Sequence, residues 1–185
     1  MQAFLTASQL YDKSINGIID SSDLDTIISW PMEEISVLFA CADQVRRHFF
    51  SSQVDPCTIM NIKSGGCSEN CAFCAQSAHN HTAVTVKALA SPEEIKKHCE
   101  FAYKNKHPFC VVSSGRKLSG KELKQITDVL KECPGEKHAS LGILNDEEFK
   151  MLFDAGVVCY NHNLETSRSY FPNIVTTHTW DERAE

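Results

Sequence analysis

Apolar residues recur at intervals of three and four through the opening of the chain, the spacing of one face of a helix. Ala3 to Asp12 carries a weak form of this pattern. Ser21, Ser22, Asp23 and Asp25 read as a capping region that feeds Leu24, Ile27 and Ile28. Pro31 suits the first turn of a longer helix through Phe49, where its missing N–H costs little. Ile35, Leu38, Phe39, Ala42 and Val45 form that helix's expected apolar face, with Cys41 as a buried, inert thiol. Beyond Asp55 the period changes, and short β-branched runs alternate with amphipathic stretches. Strands are expected at Cys57–Ile62, Pro108–Ser113, Lys137–Ile143 and Val157–Leu164. Helices are expected from Ser91 to about Lys104, from Ser119 to Lys131 and from Asn145 to Ala155, and Trp180–Glu185 reads as the opening of another. Strands alternating with helices imply a parallel sheet joined by right-handed crossovers. Four such units and an incomplete fifth predict an α/β fold, the N-terminal half of a TIM-type (β/α) barrel over 51–185 behind a helical lead-in over 1–50.

Composition narrows the partners. At 185 residues, 42% hydrophobic and 23% charged, the chain can bury a real core. A net charge of −6 and the lack of a Lys/Arg run argue against nucleic acid. No apolar run approaches the ~18 residues of a membrane span. Nine cysteines, an odd number without an N-terminal signal stretch, predict a reducing cytoplasm and free thiols in place of a disulfide framework.

The candidate chemistry is concentrated between Gly65 and Ser77, which read GGCSENCAFCAQS. Cys67, Cys71 and Cys74 make a C-x3-C-x2-C triad. Such a loop is long enough to wrap one face of a [4Fe–4S] cubane, each thiolate taking one iron and the fourth iron staying open to a chelating small molecule. Zinc is the rival, since Cys71 and Cys74 are half of a zinc knuckle and His79 or His81 offers a further ligand. No well-spaced second pair of ligands accompanies them. In a (β/α) barrel the working groups sit at the carboxyl ends of the strands, where the cysteine loop falls. On the last expected strand Cys159, Asn161, Asn163 and Glu165 share one parity, and Tyr160, His162 and Leu164 take the other. Two amides and a carboxylate on one inward face imply a polar ligand inside the barrel, or a solvated strand end.

With Phe73 just before its last cysteine, the triad resembles the signature of radical S-adenosylmethionine (SAM) enzymes. The blocks IKSGGCSENCAFCAQS, YNHNLETS and NIVTTHTWDER together resemble the biotin synthase family, from about Ser22 to the last residue. That resemblance implies sulfur insertion into dethiobiotin, with SAM chelated at the open iron and an electron-donor protein such as flavodoxin or ferredoxin. It places Phe73, Glu165 and Arg183 beside SAM, and Asn161 and Asn163 near the ureido ring of dethiobiotin. Glu165 stands where the family usually has Asp. Cys110 matches a ligand of an auxiliary, sulfur-donating cluster, usually [2Fe–2S], and His138 stands where the next cysteine ligand is expected. The departure implies an altered auxiliary site, with His138 or Cys159 as substitute ligands. The family is longer than this chain, so a C-terminally truncated barrel is expected, with a homodimer at full length. The alternatives are another radical SAM enzyme of related build, a maturase or mutase, and a non-catalytic zinc-binding module.

Overall fold

Capping chemistry sets most of the helix starts. The computed structural model describes residues 1–185 and divides them into two compact units, Met1–Asp55 and Pro56–Glu185. The first unit holds α1 (Gln2–Ile15), α2 (Ser21–Ile28), a single 3-10 turn (Met32–Glu34) and α3 (Ile35–Phe50). The cap of α2 is Asp20, one residue before the expected serines. Its carboxylate accepts from the Ser22 and Asp23 amides at 2.8 and 3.1 Å, and Asp23 accepts in return from the Asp20 amide. One carboxylate that reaches two orphan amides outcompetes a hydroxyl that reaches one. Pro31 heads the 3-10 turn, so α3 starts at Ile35 and not at the proline. The buried face of α3 is also rotated from the expected one. Ile35, Val37, Leu38 and Cys41 pack on Ala3, Ala7, Leu10 and Trp30, while Phe39 is 65% exposed. Cys41 is half-buried, and its thiol donates to the Ala7 carbonyl at 3.1 Å.

The second unit alternates β1 (Thr58–Lys63), α4 (Pro92–Lys104), β2 (Phe109–Ser113), α5 (Gly120–Glu132), β3 (Lys137–Ser140), α6 (Asp146–Asp154) and β4 (Val157–Tyr160), then a 3-10 turn (Phe171–Asn173) and α7 (Trp180–Ala184). Ser91, Ser119, Asn145 and Thr179 cap their helices through side-chain oxygens. The four strands are parallel in the order β1-β2-β3-β4, a partial TIM-type barrel. Met60, Val111, Ala139 and Tyr160 share one register row on the helix side, where Ile95, Leu123, Ile126 and Leu130 close the core. The adjacent row, of opposite parity, is Ile59, Cys110, His138 and Cys159.

Two strands end earlier than their apolar patterns predict. β3 stops at Ser140, not Ile143, because Gly142 passes directly beneath the Arg116 carbonyl. β4 stops at Tyr160, not Leu164. The Tyr160 hydroxyl turns back to accept from the Leu141 amide at 3.0 Å and donate to the Gly142 carbonyl at 2.5 Å. Burial pushes this phenol up to about 12, so it remains a donor. The Asn161 amide makes a last bond to Ala139, and the chain then leaves the sheet through Glu165 at φ +66°.

Candidate functional site

The cysteine loop is shaped by its own backbone before any ligand is considered. At the end of β1 the chain turns through Gly65 at φ +69°, where a Cβ would stand 3.2 Å from the Val86 backbone. Cys67 exchanges backbone bonds with Gln76 and Ala78, and the Cys74 amide donates to the Cys71 carbonyl at 3.0 Å. Asn80 donates to the carbonyls of Cys71 and Cys74 at 3.0 and 2.9 Å, a brace that nothing in the sequence pattern singled out.

A distant segment then latches the loop. The Ala72 amide donates to the Ile174 carbonyl at 2.9 Å. Asn70 donates to the Thr176 hydroxyl at 2.5 Å, and its carbonyl oxygen accepts from the Thr176 and Thr177 amides at 2.9 and 3.3 Å.

Cys67 is buried, Cys71 and Cys74 are half-buried, and all three are free thiols on one cavity. Burial, reinforced by the neighbouring charges of Cys74 and Cys67, pushes the Cys71 thiol up. No three His, Cys, Asp or Glu side chains converge closely enough to hold a single metal ion. A tetrahedral zinc needs four donors about 2.0–2.3 Å from one centre. His79 is turned away to the Ser68 carbonyl at 3.0 Å. The three thiols border one cavity, and a cubane would take each sulfur on a different iron.

Phe73, 57% exposed, forms the lip beside the triad. The opposite walls come from the carboxyl ends of the other strands: Ser113 at the end of β2 with Ser114 and Arg116 after it, Ser140 at the end of β3 with Gly142 after it, and His162, Asn163 and Glu165 after β4. Ser114 is already committed, since its hydroxyl donates to the Gly65 carbonyl at 2.9 Å. The buried Ser113 hydroxyl has no partner at all, and it lines the same cavity. An orphaned polar atom there fits a polar ligand.

Arg183, on α7, is tethered through all three nitrogens. Its Nε donates to the Asn163 carbonyl at 2.6 Å, Nη2 to Glu165 at 3.3 Å and Nη1 to His178 at 3.3 Å. Two of its five N–H groups stay free for a carboxylate. His178 also bonds Glu69 Oε2, which accepts from the Thr177 hydroxyl at 2.6 Å. Burial pushes the Glu69 carboxyl up, but these bonds and the Arg116 charge outweigh it and hold the carboxyl below its usual range.

The parity expected past Cys159 keeps Asn161 beside Cys159 and Cys110 but fails at His162, because the strand ends at Tyr160. His162, assigned to the outer face, lines the cavity together with Asn163. Burial and then the Arg183 charge push its imidazole down. Asn161, expected beside Asn163, lies off the cavity, with its amide 3.8 Å from the Cys110 sulfur. Cys159 is exposed, with its thiol 4.0 Å from the Asn161 carbonyl oxygen. His138 bonds Glu136 at 2.7 Å. Cys110, His138 and Cys159 therefore sit side by side on β2, β3 and β4, apart from the cavity. Glu69 and His178 escaped the sequence reading because they lie 109 positions apart and follow no period.

The Radical SAM superfamily matches residues 61–185. A biotin synthase of Pelotomaculum thermopropionicum is 46% identical over 158 residues, covering 83% of this chain and 49% of that protein. A biotin synthase of Methanococcus aeolicus is 37% identical over 189 residues, covering 100% of this chain and 57% of that protein. The chain thus spans about half the length of the curated relatives it matches. Among solved structures, methylornithine synthase (PylB) superposes with a TM-score of 0.80 at 20% identity, covering 95% of this chain and 53% of that one. No helix is long and apolar enough to cross a membrane.

Proposed function

The chain belongs to the radical SAM superfamily, and on that premise we propose that it supplies the SAM-cleaving part of a biotin synthase, which converts dethiobiotin to biotin. The observation that carries the reading is one cavity in which Cys67, Cys71 and Cys74 face Asn163, Glu165 and Arg183. The family implies a [4Fe–4S] cluster and SAM, which when bound supply a one-electron cleavage of the SAM carbon–sulfur bond and hence a carbon radical.

The chain's own residues hold and orient. Cys67, Cys71 and Cys74 would hold the cluster, with a position left open for SAM. Arg183 presents its two free N–H groups to the SAM carboxylate, and Glu165 accepts from the ribose hydroxyls. Ser113 offers its unpartnered hydroxyl to the polar end of SAM. Phe73 shields the lip from water. Asn163 takes the ureido ring of dethiobiotin with an amide that both donates and accepts. Asn161, beside Cys110, instead borders the auxiliary site, for which Cys110, His138 and Cys159 are the ligands on this chain. A flavodoxin or ferredoxin, a cytoplasmic setting and a homodimer complete the proposal.

The test is anaerobic reconstitution of the full-length protein with iron and sulfide, followed by reductant, SAM and dethiobiotin. Mass spectrometry should find methionine, 5′-deoxyadenosine and biotin. SAM cleavage without biotin would reassign the site to another radical SAM reaction, and no SAM cleavage would overturn the reading. For the auxiliary site, His138→Ala should alter the second iron signal in Mössbauer spectra and leave the first intact. An unchanged second signal removes His138 from the ligand set.

A further inference from the structure

Glu69 and His178 are buried polar residues with no part in the roles assigned above. The side chain of His178 is 2% exposed and that of Glu69 10%. Glu69 stands midway between Cys67 and Cys71, whereas His178 belongs to the latch segment that follows Ile174. The ring nitrogens of His178 have different partners. Nε2 faces Arg183 Nη1 at 3.3 Å. A guanidinium only donates, so Nε2 must accept, and the ring proton sits on Nδ1, from which it is donated to Glu69. The same Glu69 oxygen takes a second bond from the Thr177 hydroxyl at 2.6 Å, so the carboxylate cannot swing away cheaply. Phe171 packs edge-on against the imidazole with ring centroids 5.5 Å apart. The imidazole is thus fixed in plane and in tautomer, as a metal-binding histidine is fixed by a carboxylate behind it. Here the group in front is a guanidinium.

We propose that Glu69 and His178 are positioning residues. Glu69 sets the tautomer of His178, His178 holds Arg183, and the cluster-bearing loop and the SAM-binding guanidinium are thereby joined as one body. A buried polar chain of this kind is a poor way to gain stability, since apolar replacements of the same volume often do as well. Its value lies in geometry. SAM must meet the open iron and Arg183 together, and a misplacement of about 1 Å between two such anchors is enough to cost ~100-fold in rate. The inference rests on the SAM-cleaving reading of the site, which the wild-type arm of the experiment tests separately.

The experiment is a SAM titration of the reduced, reconstituted full-length protein, read by the change in the electron paramagnetic resonance spectrum of its cluster. Wild type must show a saturable spectral change. If it shows none, the underlying reading fails and the inference falls with it. His178→Phe keeps the packing on Phe171 but removes both hydrogen bonds. It should weaken SAM at least about tenfold, the usual cost of losing an outer-shell partner, with iron content and the SAM-free spectrum unchanged. His178→Gln, which again offers an acceptor toward Arg183 and a donor toward Glu69, should recover most of the affinity. Wild-type affinity in His178→Phe overturns the proposal. So does an affinity loss that only tracks lost iron, or one that His178→Gln fails to reverse. Glu69→Gln, which keeps an acceptor for Nδ1–H, should stay close to wild type, whereas Glu69→Ala should match His178→Phe. Wild-type affinity in Glu69→Ala removes Glu69 from the relay. If His178→Phe does not fold, the contrast between Glu69→Gln and Glu69→Ala decides the question.

Discussion

Gly142 occupies a place no other residue can take. Its φ is +92°, and a Cβ there would lie 2.0 Å from the Arg116 carbonyl oxygen. That carbonyl also accepts from the Ile143 amide at 2.9 Å, so it is not free to withdraw. Gly142→Ala should therefore cost at least about 2 kcal/mol, through clash and left-handed strain together. Urea unfolding of the full-length protein measures this, and a midpoint equal to wild type would contradict the contact. At the residue scale, legibility followed sequence distance. The three cysteines lie within eight positions, and their spacing pointed to one shared iron–sulfur centre with zinc as the rival. Arg183 was reached only through the family resemblance, Glu165 through strand alternation as well, and Glu69 with His178 through neither route. His162 was assigned to the wrong wall, because alternation was carried past the point where β4 ends.

Elements are joined in the second unit by ion pairs as well as by apolar contact. Lys63 on β1 meets Glu122 on α5 at 2.8 Å, with side-chain exposures of 32% and 25%. The Lys63 bond, helped by the Ser119 amide, holds the Glu122 carboxyl down to about 2, against an ordinary 4.5. A depressed carboxyl contributes its stability above the unfolded value and loses it as pH falls through the folded one. This pair's contribution should therefore be complete above 4.5 and vanish toward 2. Partial exposure limits it to about 1 kcal/mol. Glu122→Gln keeps the capping-box role at that position but not the charge. Urea unfolding at about pH 6 and about pH 3 should show a smaller acid loss for the variant than for wild type; equal losses would dismiss the pair.

The latch is the second joint. Asn70→Ala removes the contacts to Thr176 and Thr177, each net bond being worth about 1 kcal/mol. Iron should then pass to a chelator several-fold faster than from wild type, by absorbance, and an unchanged rate would mean the loop stands without its latch. The helix starts at Ser91, Ser119 and Asn145 were legible because caps are local chemistry. The ends of β3 and β4 were not, since a carbonyl from another loop and a returning tyrosine hydroxyl determine them.

For the second unit as a body, the sheet order leaves β1 and β4 each paired on one side only. Val158 on β4 is 69% exposed and Ile59 on β1 64%. Open parallel edges flanked by apolar side chains invite pairing with other chains. The 185-residue chain on its own should self-associate with rising concentration in sedimentation velocity, and a monomer throughout would show the edges to be protected. The α/β architecture was readable from alternation alone, because each βα unit repeats the same local grammar. Closure of the cysteine loop was not, since its partners lie far along the chain. Asn70 and Thr177 are 107 positions apart. During synthesis the thiols therefore emerge from the ribosome long before the residues that clasp them, at rates of about 5–20 residues per second. For several seconds each nascent chain carries three thiols without their clasp, open to any oxidant that reaches them first.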